Sequence, residues 1–351
     1  MRILLVSDAW LPQVNGVVTS LQSLIGELRE LGHEVKLLSP ADFRARPCPT
    51  YPEIPLVWDL WRVGPAIRAF RPDCVHLATE GPLGWAARHW LTRRGMAFST
   101  AIHTRFPEYV HTRWPWLPLR WGYALLRTFH RPSRAVLVST ARLREEFRHW
   151  RLPRLVIWRK GVDTRLFVPL RERPKPERPI FLYVGRIAPE KNLEAFLALD
   201  LPGEKRVVGD GPQRAELEAR YPEASFLGYR HGRELAAAYA EASVLVFPSR
   251  TDTYGLVMLE ALACGTPVAA FPVPGPLDVV EAGVSGVLDE DLGQACLAAL
   301  TLDRTRCAEL AGRQSWRASA LEFLAHQVLL DGEPCIRPPA RAGFHADVLA
   351  D

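Results

Sequence analysis

Apolar runs and helix-spaced apolar positions alternate along the chain. Residues 3–7 form a continuous apolar run, and beyond a polar loop apolar side chains recur at helical spacing from Leu21 to Leu31, just before Gly32. Glycine commonly ends a helix, and the next apolar stretch, 34–38, is typical of a strand. This order of strand, loop, helix and strand predicts the start of a parallel sheet covered by helices.

The same alternation continues through both halves of the chain. In the first half, further strands are predicted at 74–77, 97–102 and 135–138, with a helix near 83–93. In the second half, strands are predicted at 180–184, 206–208, 225–227 and 244–247, with helices after Glu190, at 213–220 and at 232–242. The sequence therefore predicts an α/β protein with two Rossmann-like, doubly wound parallel-sheet domains that face each other across a ligand-binding cleft.

A basic, proline-bearing stretch at 171–179 interrupts the periodicity and marks a domain boundary. We predict an N-terminal domain over 1–170, a C-terminal domain over 171–330 and a loose tail over 331–351. The length of 351 residues also favours two domains over one.

Charge and tryptophan are concentrated in the first half. Residues 1–170 contain 25 Lys and Arg against 13 Asp and Glu, and ten of the 11 Trp precede residue 160, although the whole chain has a net charge of only +5. This distribution predicts an anionic or interfacial partner for the first half. The sequence contains no recognition-helix or RNA-binding motif, so we expect no nucleic-acid partner.

The cysteines and the apolar runs bear on where in the cell the protein is expected. The six cysteines include no CxxC pair, which is typical of reduced thiols in the cytoplasm. No apolar run reaches the roughly 18 residues that a membrane-spanning helix needs. We therefore expect a cytoplasmic protein that does not span a membrane.

Two carboxylates, Asp252 and Glu260, are separated by seven residues in the second half. If a helix begins near Gly255, Asp252 precedes its N-terminus and Glu260 lies more than one turn inside it. The backbone N–H groups of Tyr254, Gly255 and Leu256 could then face an anion, while the carboxylates accept from hydroxyls. A nucleoside-diphosphate sugar needs donors for its diphosphate and acceptors for its hydroxyls. An ordinary capped helix would produce the same isolated pair of carboxylates.

A second constellation directly follows the strand at 180–184. Gly185 permits close backbone approach, and Arg186 and Lys191 can bring two cations to one pyrophosphate. Read alone, the segment could also be a basic turn that pairs with Glu190. In the first half, Gly16 lies in the first strand-to-helix loop. A helix start at this position would suit contact with a phosphate, and a plain flexible turn is the alternative.

Two further candidates in the first half follow predicted strands. His103 comes just after the strand at 97–102, where a single histidine is often a structural hydrogen-bonding group. Glu80 follows the strand at 74–77, and we assign it with Arg105 to acceptor binding.

Metal and redox chemistry have little support in the sequence. No HxH, HExxH, strand-end DxD or paired-cysteine motif occurs, so we expect no metal and no cofactor. The first strand is not followed by GxGxxG, which argues against a nicotinamide or flavin enzyme.

Several of these motifs resemble the retaining GT-B glycosyltransferases that carry an acid-x7-acid signature. The likeness rests on the opening VSDAWLPQVNGVV, on HTRFPEY, on the GRIAPEKN element and on the acid pair, and it extends from residue 1 to about 330. The family includes GDP-mannose-dependent α-mannosyltransferases, among them phosphatidylinositol mannosyltransferases, as well as sulfoquinovosyl-diacylglycerol synthase and bacterial diacylglycerol glycosyltransferases. The chain departs from its pattern at Asp252, where glutamate is commoner.

The resemblance implies that a hexose passes from a nucleoside-diphosphate sugar to an acceptor with retention of configuration and without a metal. By hypothesis, Arg186, Lys191, Gly16 and the helix start near Gly255 hold the diphosphate. Glu260 then binds the ribose, and Asp252 and His103 orient the sugar. In this family the last helix, here near 315–330, crosses back to the first domain.

A basic, tryptophan-rich stretch at 105–134 points to the acceptor. Tryptophan with arginine is typical of segments that lie at a membrane interface, and a solvated basic helix with buried tryptophans is the alternative. We predict reversible binding of the N-terminal half to an anionic membrane, at the inner face of the cytoplasmic membrane, and a lipid acceptor.

Rival functions on the same fold remain open at this point. They are a polysaccharide mannosyltransferase with a glycan acceptor, a sugar-nucleotide epimerase and a non-catalytic nucleotide-binding regulator. The sequence also leaves UDP, GDP and ADP donors open.

Overall fold

The structure is a computed structural model that describes residues 1–13, 15–48, 55–114, 116–170, 177–252, 254–333 and 335. The described part of the first half contains eight strands: β1 Arg2–Val6, β2 Glu34–Leu38, β3 Ala45–Pro47, β4 Pro55–Val57, β5 Cys74–Leu77, β6 Ser99–Ala101, β7 Ala135–Val138 and β8 Leu155–Ile157. Six of them form a parallel sheet in the order β2-β1-β5-β6-β7-β8, and β3 and β4 form a separate antiparallel hairpin.

Helices cover both faces of this first sheet. They are α1 Gly16–Glu30, α2 Val63–Phe70, α3 Pro82–Thr92, α4 Phe106–Arg113, α5 Leu119–His130 and α6 Ala141–His149. Helix α1 begins where the Asn15 side chain accepts from the Val17 and Val18 N–H groups, both at 3.0 Å. Its apolar stripe, Leu21, Leu24 and Leu28, is fully buried against the sheet because these positions share one helix face.

The second half repeats the plan. Its strands are β9 Ile180–Val184, β10 Glu204–Val208, β11 Ser225–Phe226, β12 Val244–Phe247, β13 Val268–Ala270 and β14 Gly286–Leu288, paired in parallel in the order β11-β10-β9-β12-β13-β14. The helices are α7 Glu194–Leu197, α8 Arg214–Arg220, α9 Gly232–Glu241, α10 Leu256–Ala263, α11 Pro276–Val279, α12 Leu292–Ala299, α13 Arg304–Gly312 and α14 Trp316–Ala325.

The predicted fold class is confirmed, since both halves are parallel sheets wound by helices. The strand predicted at 97–102 is shorter, at Ser99–Ala101. The sequence pattern did not predict the hairpin or the strands β8, β13 and β14. Each of these has only three residues, which is too short for a periodicity to show.

The last helix joins the core of the first half. Phe323 and Leu324 of α14 are buried in one cluster with Leu24 of α1 and with Trp158, which follows β8. The Trp158 Nε1–H donates to the Ser319 carbonyl at 3.1 Å. Of the interdomain stretch at 171–179, residues 171–176 lie outside the described residues, as does most of the tail at 331–351.

Sheet order determines where ligands can bind. In the first sheet the winding reverses between β1 and β5, and in the second it reverses between β9 and β12. Crevices open at such switch points, beyond the carboxyl ends of the strands. The loops that follow these four strands therefore define the candidate site.

Candidate functional site

The switch point of the second sheet holds an ion pair between the two predicted motifs. Lys191 lies in the loop after β9 and Asp252 in the loop after β12, and Lys191 Nζ contacts Asp252 Oδ1 directly. The Asn192 side chain donates to the Pro248 carbonyl at 3.1 Å, which ties the two loops together. The Lys191 side chain remains 23% exposed. An incoming diphosphate can therefore compete with Asp252 for this ammonium.

Arg186 lies in the same loop as Lys191. Its side chain is half-buried, and its backbone carbonyl accepts from the Tyr183 hydroxyl at 2.8 Å. Gly185 precedes it with a φ of 154°, and a β-carbon there would lie 2.9 Å from the Tyr183 oxygen. Glycine is thus required for the turn that places Arg186 at the strand end. Its role in holding a diphosphate stays a prediction.

Helix α10 begins as the sequence predicts. Gly255 is its N-cap with a φ of 81°, and a β-carbon at this position would lie 2.7 Å from Met258 Cε and 3.0 Å from Phe247 Cζ. Any other residue would be strained and crowded here. Asp252 precedes the helix and Glu260 lies inside it, while the intervening Thr253 lies outside the described residues.

The N-termini of two helices face each other across the cleft. A β-carbon built on Gly16, the first residue of α1, would lie 3.9 Å from Leu256 Cδ1 at the start of α10. Helix N-termini carry partial positive charge and unpaired N–H groups. An anion bound between the domains would meet both helix starts, close to the Lys191 loop.

Glu260 is half-buried and accepts a hydrogen bond from the Tyr239 hydroxyl at 2.7 Å. Burial raises the pKa of Glu260 to about 7, and the Tyr239 hydrogen bond partly opposes that shift. The carboxyl therefore changes charge near neutral pH. A ligand hydroxyl that donates to it would favour the ionised form.

In the first domain, His103 follows β6 and is surrounded by other side chains. Lys160 Nζ lies 3.5 Å from its Nδ1, and the Trp158 ring meets the imidazole edge to face at a centroid distance of 5.7 Å. Burial, followed by the Lys160 charge, lowers the pKa of His103 well below its ordinary value. His103 is therefore a neutral imidazole at physiological pH.

Sequence reasoning did not single out Lys160. The residue follows β8, one of the short strands that the pattern did not show, so its position at a strand end was not recognisable. The signal that could have revealed it is a lysine directly before Gly161, where the chain leaves the first sheet. A β-carbon at Gly161 would lie 2.4 Å from the Trp316 nitrogen, so the crossing is tightly packed.

The loop after β5 carries Glu80, which pairs with a buried histidine. Glu80 Oε1 lies 3.2 Å from His130 Nε2. The adjacent loop after β1 provides Asp8, a residue that sequence reasoning also missed. Asp8 accepts from the Leu83 N–H at 2.8 Å and from the Thr79 hydroxyl at 2.8 Å, and so fixes the loop that carries Glu80.

Arg105 is engaged with carboxylates of its own domain. Its Nε lies 3.6 Å from Glu108 Oε1, and its guanidinium also contacts Glu146 directly. These two anions raise the pKa of Arg105, against the effect of burial. The structure thus places Arg105 in an ion-pair network within the first domain, and its predicted contact with an acceptor stays a prediction.

The exposed aromatic surface lies just beyond His103, on the segment that follows β6. Trp116 is 75% exposed and Trp121 is 60% exposed, with Leu125 one turn further along the same face of α5. The opposite face of α5 is buried against the sheet. The alternative of a basic helix with buried tryptophans is therefore wrong for these two residues. No helix among the described residues is long and apolar enough to cross a bilayer.

The arrangement suits one kind of ligand. Two cations and two helix starts can bind a diphosphate, carboxylates can bind hydroxyls, and the first domain adds a neutral imidazole after β6. Across the ranges that the structure describes, no group of three or more His, Cys, Asp or Glu side chains could hold a metal ion. The fold and the cleft define the protein as a GT-B glycosyltransferase.

Comparison with known proteins gives the family. Residues 14–166 match the model described as Glycosyltransferase Family 4, and residues 178–302 match the one described as Glycosyl transferases group 1. The chain is 33% identical to the GDP-mannose-dependent alpha-mannosyltransferase of Mycobacterium tuberculosis, over 95% of this chain and 97% of that protein. It therefore belongs to the glycosyltransferase family that these two models describe.

Two further similarities extend over most of the chain. The alpha-monoglucosyldiacylglycerol synthase of Streptococcus pneumoniae is 25% identical over 93% of this chain and 86% of that protein. The solved structure of a sucrose-phosphate synthase from Thermosynechococcus elongatus superposes with a TM-score of 0.76 at 21% identity, covering 92% of this chain and 97% of that one. The resemblance found in the sequence, the GT-B fold and the glycosyltransferase class are thereby confirmed.

Proposed function

We propose that this glycosyltransferase moves a hexose from a nucleoside-diphosphate sugar to a membrane lipid, with retention of configuration and without a metal ion. The observation that carries the proposal is the pairing of Lys191 with Asp252 at the second switch point, where α10 begins with Leu256 against Gly16. That geometry supports binding of a diphosphate and a sugar side by side.

The donor would lie mainly on the second domain. Arg186, Lys191 and the start of α10 would hold the diphosphate, and Glu260 would accept from the ribose hydroxyls. Asp252, released from Lys191 when the diphosphate binds, would accept from the sugar. Fixed cations and dipoles of this kind stabilise the charge that develops on a leaving diphosphate.

Retention is proposed to follow from a displacement on one face of the sugar. The acceptor hydroxyl attacks the anomeric carbon as the bond to the diphosphate oxygen breaks, and that oxygen takes the hydroxyl proton. His103 is neutral and cannot supply a positive charge, so its role is to hold the sugar by hydrogen bonding. The cations that neutralise the diphosphate are Arg186 and Lys191, which supports turnover without a metal.

The lipid acceptor is supported by the exposed apolar surface on the segment that follows β6. Trp116, Trp121 and Leu125 expose apolar area next to the exposed Arg120, a combination that suits an anionic bilayer. A similar protein bears the name of a glucosyldiacylglycerol synthase. We propose peripheral association with the inner face of the cytoplasmic membrane.

A donor screen tests the proposal. The full chain is incubated with GDP-mannose, UDP-glucose, UDP-galactose or ADP-glucose and a membrane lipid extract, and the products are read by mass spectrometry, with and without EDTA. We expect one donor to give a hexosyl lipid whose yield EDTA leaves unchanged, and anomeric NMR of the product to show retention. Hydrolysis or epimerisation of the donor without a lipid product would contradict the lipid acceptor, and loss of activity with EDTA would contradict the metal-free reaction.

A further inference from the structure

The first domain carries a second exposed aromatic surface, next to the hairpin of β3 and β4. Trp58, just after β4, is 45% exposed, and Trp61, in the 3-10 turn Leu60–Arg62, is 68% exposed. Their rings meet edge to face at a centroid distance of 5.7 Å. Leu56 on β4 adds a further exposed apolar side chain. Adjacent exposed rings of this size are typical of a surface that contacts another molecule.

The surroundings of the Trp58–Trp61 pair are basic. The described residues from 41 to 70 include four exposed arginines: Arg44, Arg46, Arg62 and Arg68. They also include two aspartates, one of which, Asp59, is buried and paired with Arg62 at 3.1 Å. The Arg44 guanidinium lies 5.7 Å from the centroid of the Trp58 ring. Aromatic rings with an excess of arginine suit an anionic partner.

Helix α3 connects this surface with the helix that carries Trp121. The Trp90 ring of α3 packs against the start of α2, since a β-carbon at Gly64 would lie 2.2 Å from Trp90 Cδ1. Towards α5, the Arg88 side chain of α3 donates through Nε to the Phe129 carbonyl at 2.9 Å. Buried residues of α2, α3 and α5 belong to one core cluster, so the three helices cover the same face of the first sheet.

The two tryptophan groups lie at the same end of this helical layer. Helix α2 ends at Phe70, whose ring lies under the Arg2 guanidinium at the start of β1, 4.7 Å from the ring centroid. The start of α2, directly after Trp61, therefore points to the carboxyl edge of the sheet. Helix α5 ends shortly before β7 begins, so its start, with Trp121, points to the same edge. That edge carries the loops of the candidate site.

We propose that the Trp58–Trp61 pair is a second membrane anchor, which binds the same anionic bilayer as Trp116 and Trp121. The inference rests on the proposed function, since it requires that the first domain act at a membrane. One exposed aromatic group gives weak, reversible binding and leaves the domain free to rotate about it. A second anchor on the same rigid domain binds at high effective concentration. The two anchors together fix how the carboxyl edge of the sheet faces the bilayer.

Vesicle sedimentation tests the second anchor without turnover. The full chain, Trp61→Ala, Trp121→Ala and the double variant are mixed with vesicles of phosphatidylglycerol and phosphatidylcholine. We expect Trp61→Ala to weaken binding about fivefold and the double variant about 25-fold, because the two rings enter the interface independently. Tyr229→Ala, which removes an exposed ring of the second domain, is the matched control and should bind like the wild type. Wild-type affinity in Trp61→Ala would overturn the proposal.

The basic part of the surface is tested by Arg44→Gln combined with Arg46→Gln. We expect this pair of changes to weaken binding to the same vesicles about tenfold, since each cation near an anionic bilayer contributes to binding. Arg230→Gln combined with Arg233→Gln, on exposed residues of the second domain, is the matched control. Equal losses in the two double variants would show a response to net charge alone and contradict the proposal.

A second copy of this chain is the other occupant that an aromatic surface could accept. Sedimentation equilibrium without lipid decides between the two, and we expect the same mass for the wild type and for Trp61→Ala. A wild-type dimer that becomes a monomer in Trp61→Ala would make the surface a subunit interface and overturn the membrane anchor.

The anchor and the transferase activity can fail separately. If vesicle binding depends on Trp61 but no donor yields a hexosyl lipid, the proposed function fails and the anchor stands. If a hexosyl lipid forms while Trp61→Ala binds vesicles like the wild type, the anchor fails and the proposed function stands. Urea unfolding of Trp61→Ala should match the wild type, because the ring is mostly exposed. Should that variant be destabilised, the two arginine changes still decide the proposal.

Discussion

The two domains present opposite kinds of chemistry to the cleft. At the carboxyl edge of the second sheet, Lys191 and Asp252 form a partly exposed ion pair, whose partners a ligand can replace. At the edge of the first sheet, Asp8 and His103 are enclosed, and each is fixed by neighbours from its own domain. The second domain thus offers charge for binding, whereas the first offers groups with fixed geometry.

From net charge alone, the first domain would be expected to supply the cations that bind the ligand. The first half carries the positive excess and most of the tryptophan, but its cleft residue His103 is neutral. The second half is acidic overall, yet it supplies the two cations, Arg186 and Lys191, that we expect at the diphosphate. The excess charge of the first half lies instead on its surface, as at Arg120. Domain charge therefore predicts what approaches the surface better than it predicts what binds in the site.

The largest expected effect comes from removing a cation of the second domain. Arg186→Ala should lower kcat by about 100-fold or more, because a fixed donor to the leaving group is lost. The free energy of unfolding should change little, since the side chain is half-buried at a loop. Initial rates of hexosyl lipid formation measure the first effect and urea unfolding measures the second.

Arg233→Ala provides the control for this prediction. Arg233 is exposed on α9 of the same domain. A wild-type rate in Arg186→Ala would remove Arg186 from the diphosphate site.

In the first domain, the corresponding change should affect stability more than turnover. Asp8→Asn replaces a carboxylate that accepts from the Leu83 and Gly84 N–H groups and from the Thr79 hydroxyl with an amide that has one acceptor oxygen. We expect the free energy of unfolding to fall by about 2 kcal/mol, because a buried donor loses its partner. Urea unfolding at a fixed pH measures this.

Asp200→Asn, on an exposed residue, is the control. If Asp8→Asn lost its activity while unfolding like the wild type, Asp8 would be part of the reacting machinery and the contrast between the two edges would be weakened.

Glu260 gives the second domain a pH dependence. The pKa of Glu260 is about 7, above the ordinary value of 4.5. The stability that the protonated carboxyl contributes is therefore complete below pH 4.5 and is lost as the pH rises through about 7. Donor binding should follow the opposite course, because the ribose hydroxyls need the ionised carboxylate. We expect the donor KM to fall about tenfold as pH rises from about 6 to about 8.

Glu260→Gln should bind the donor weakly at every pH. Tyr239→Phe should move the midpoint upward, since the hydroxyl that favours the carboxylate is absent. A wild-type midpoint that stays in place in Glu260→Gln would assign the titration to another group.

Sequence reasoning succeeded where the signal is local. The helix start at Gly255, the strand ends that carry Lys191 and His103, and the two parallel sheets all follow from spacing along the chain. It missed Asp8 and Lys160, because their roles depend on side chains distant in sequence. Asp8 meets residues 71 to 76 positions away, and Lys160 meets His103 at a separation of 57. Such contacts exist only after the strands are ordered in a sheet.

The smallest expected effect concerns the outer surface of the first domain. Trp121→Ala should weaken binding to vesicles of anionic lipid about fivefold, because one exposed ring no longer enters the interface. Leu297→Ala, an exposed apolar residue on α12 of the second domain, is the matched control and should bind like the wild type. Sedimentation with vesicles of increasing anionic content measures both. If wild-type binding ignored the anionic lipid, or if both variants lost affinity equally, the membrane contact would not be specific to the first domain. The basic excess of that half would then need another partner.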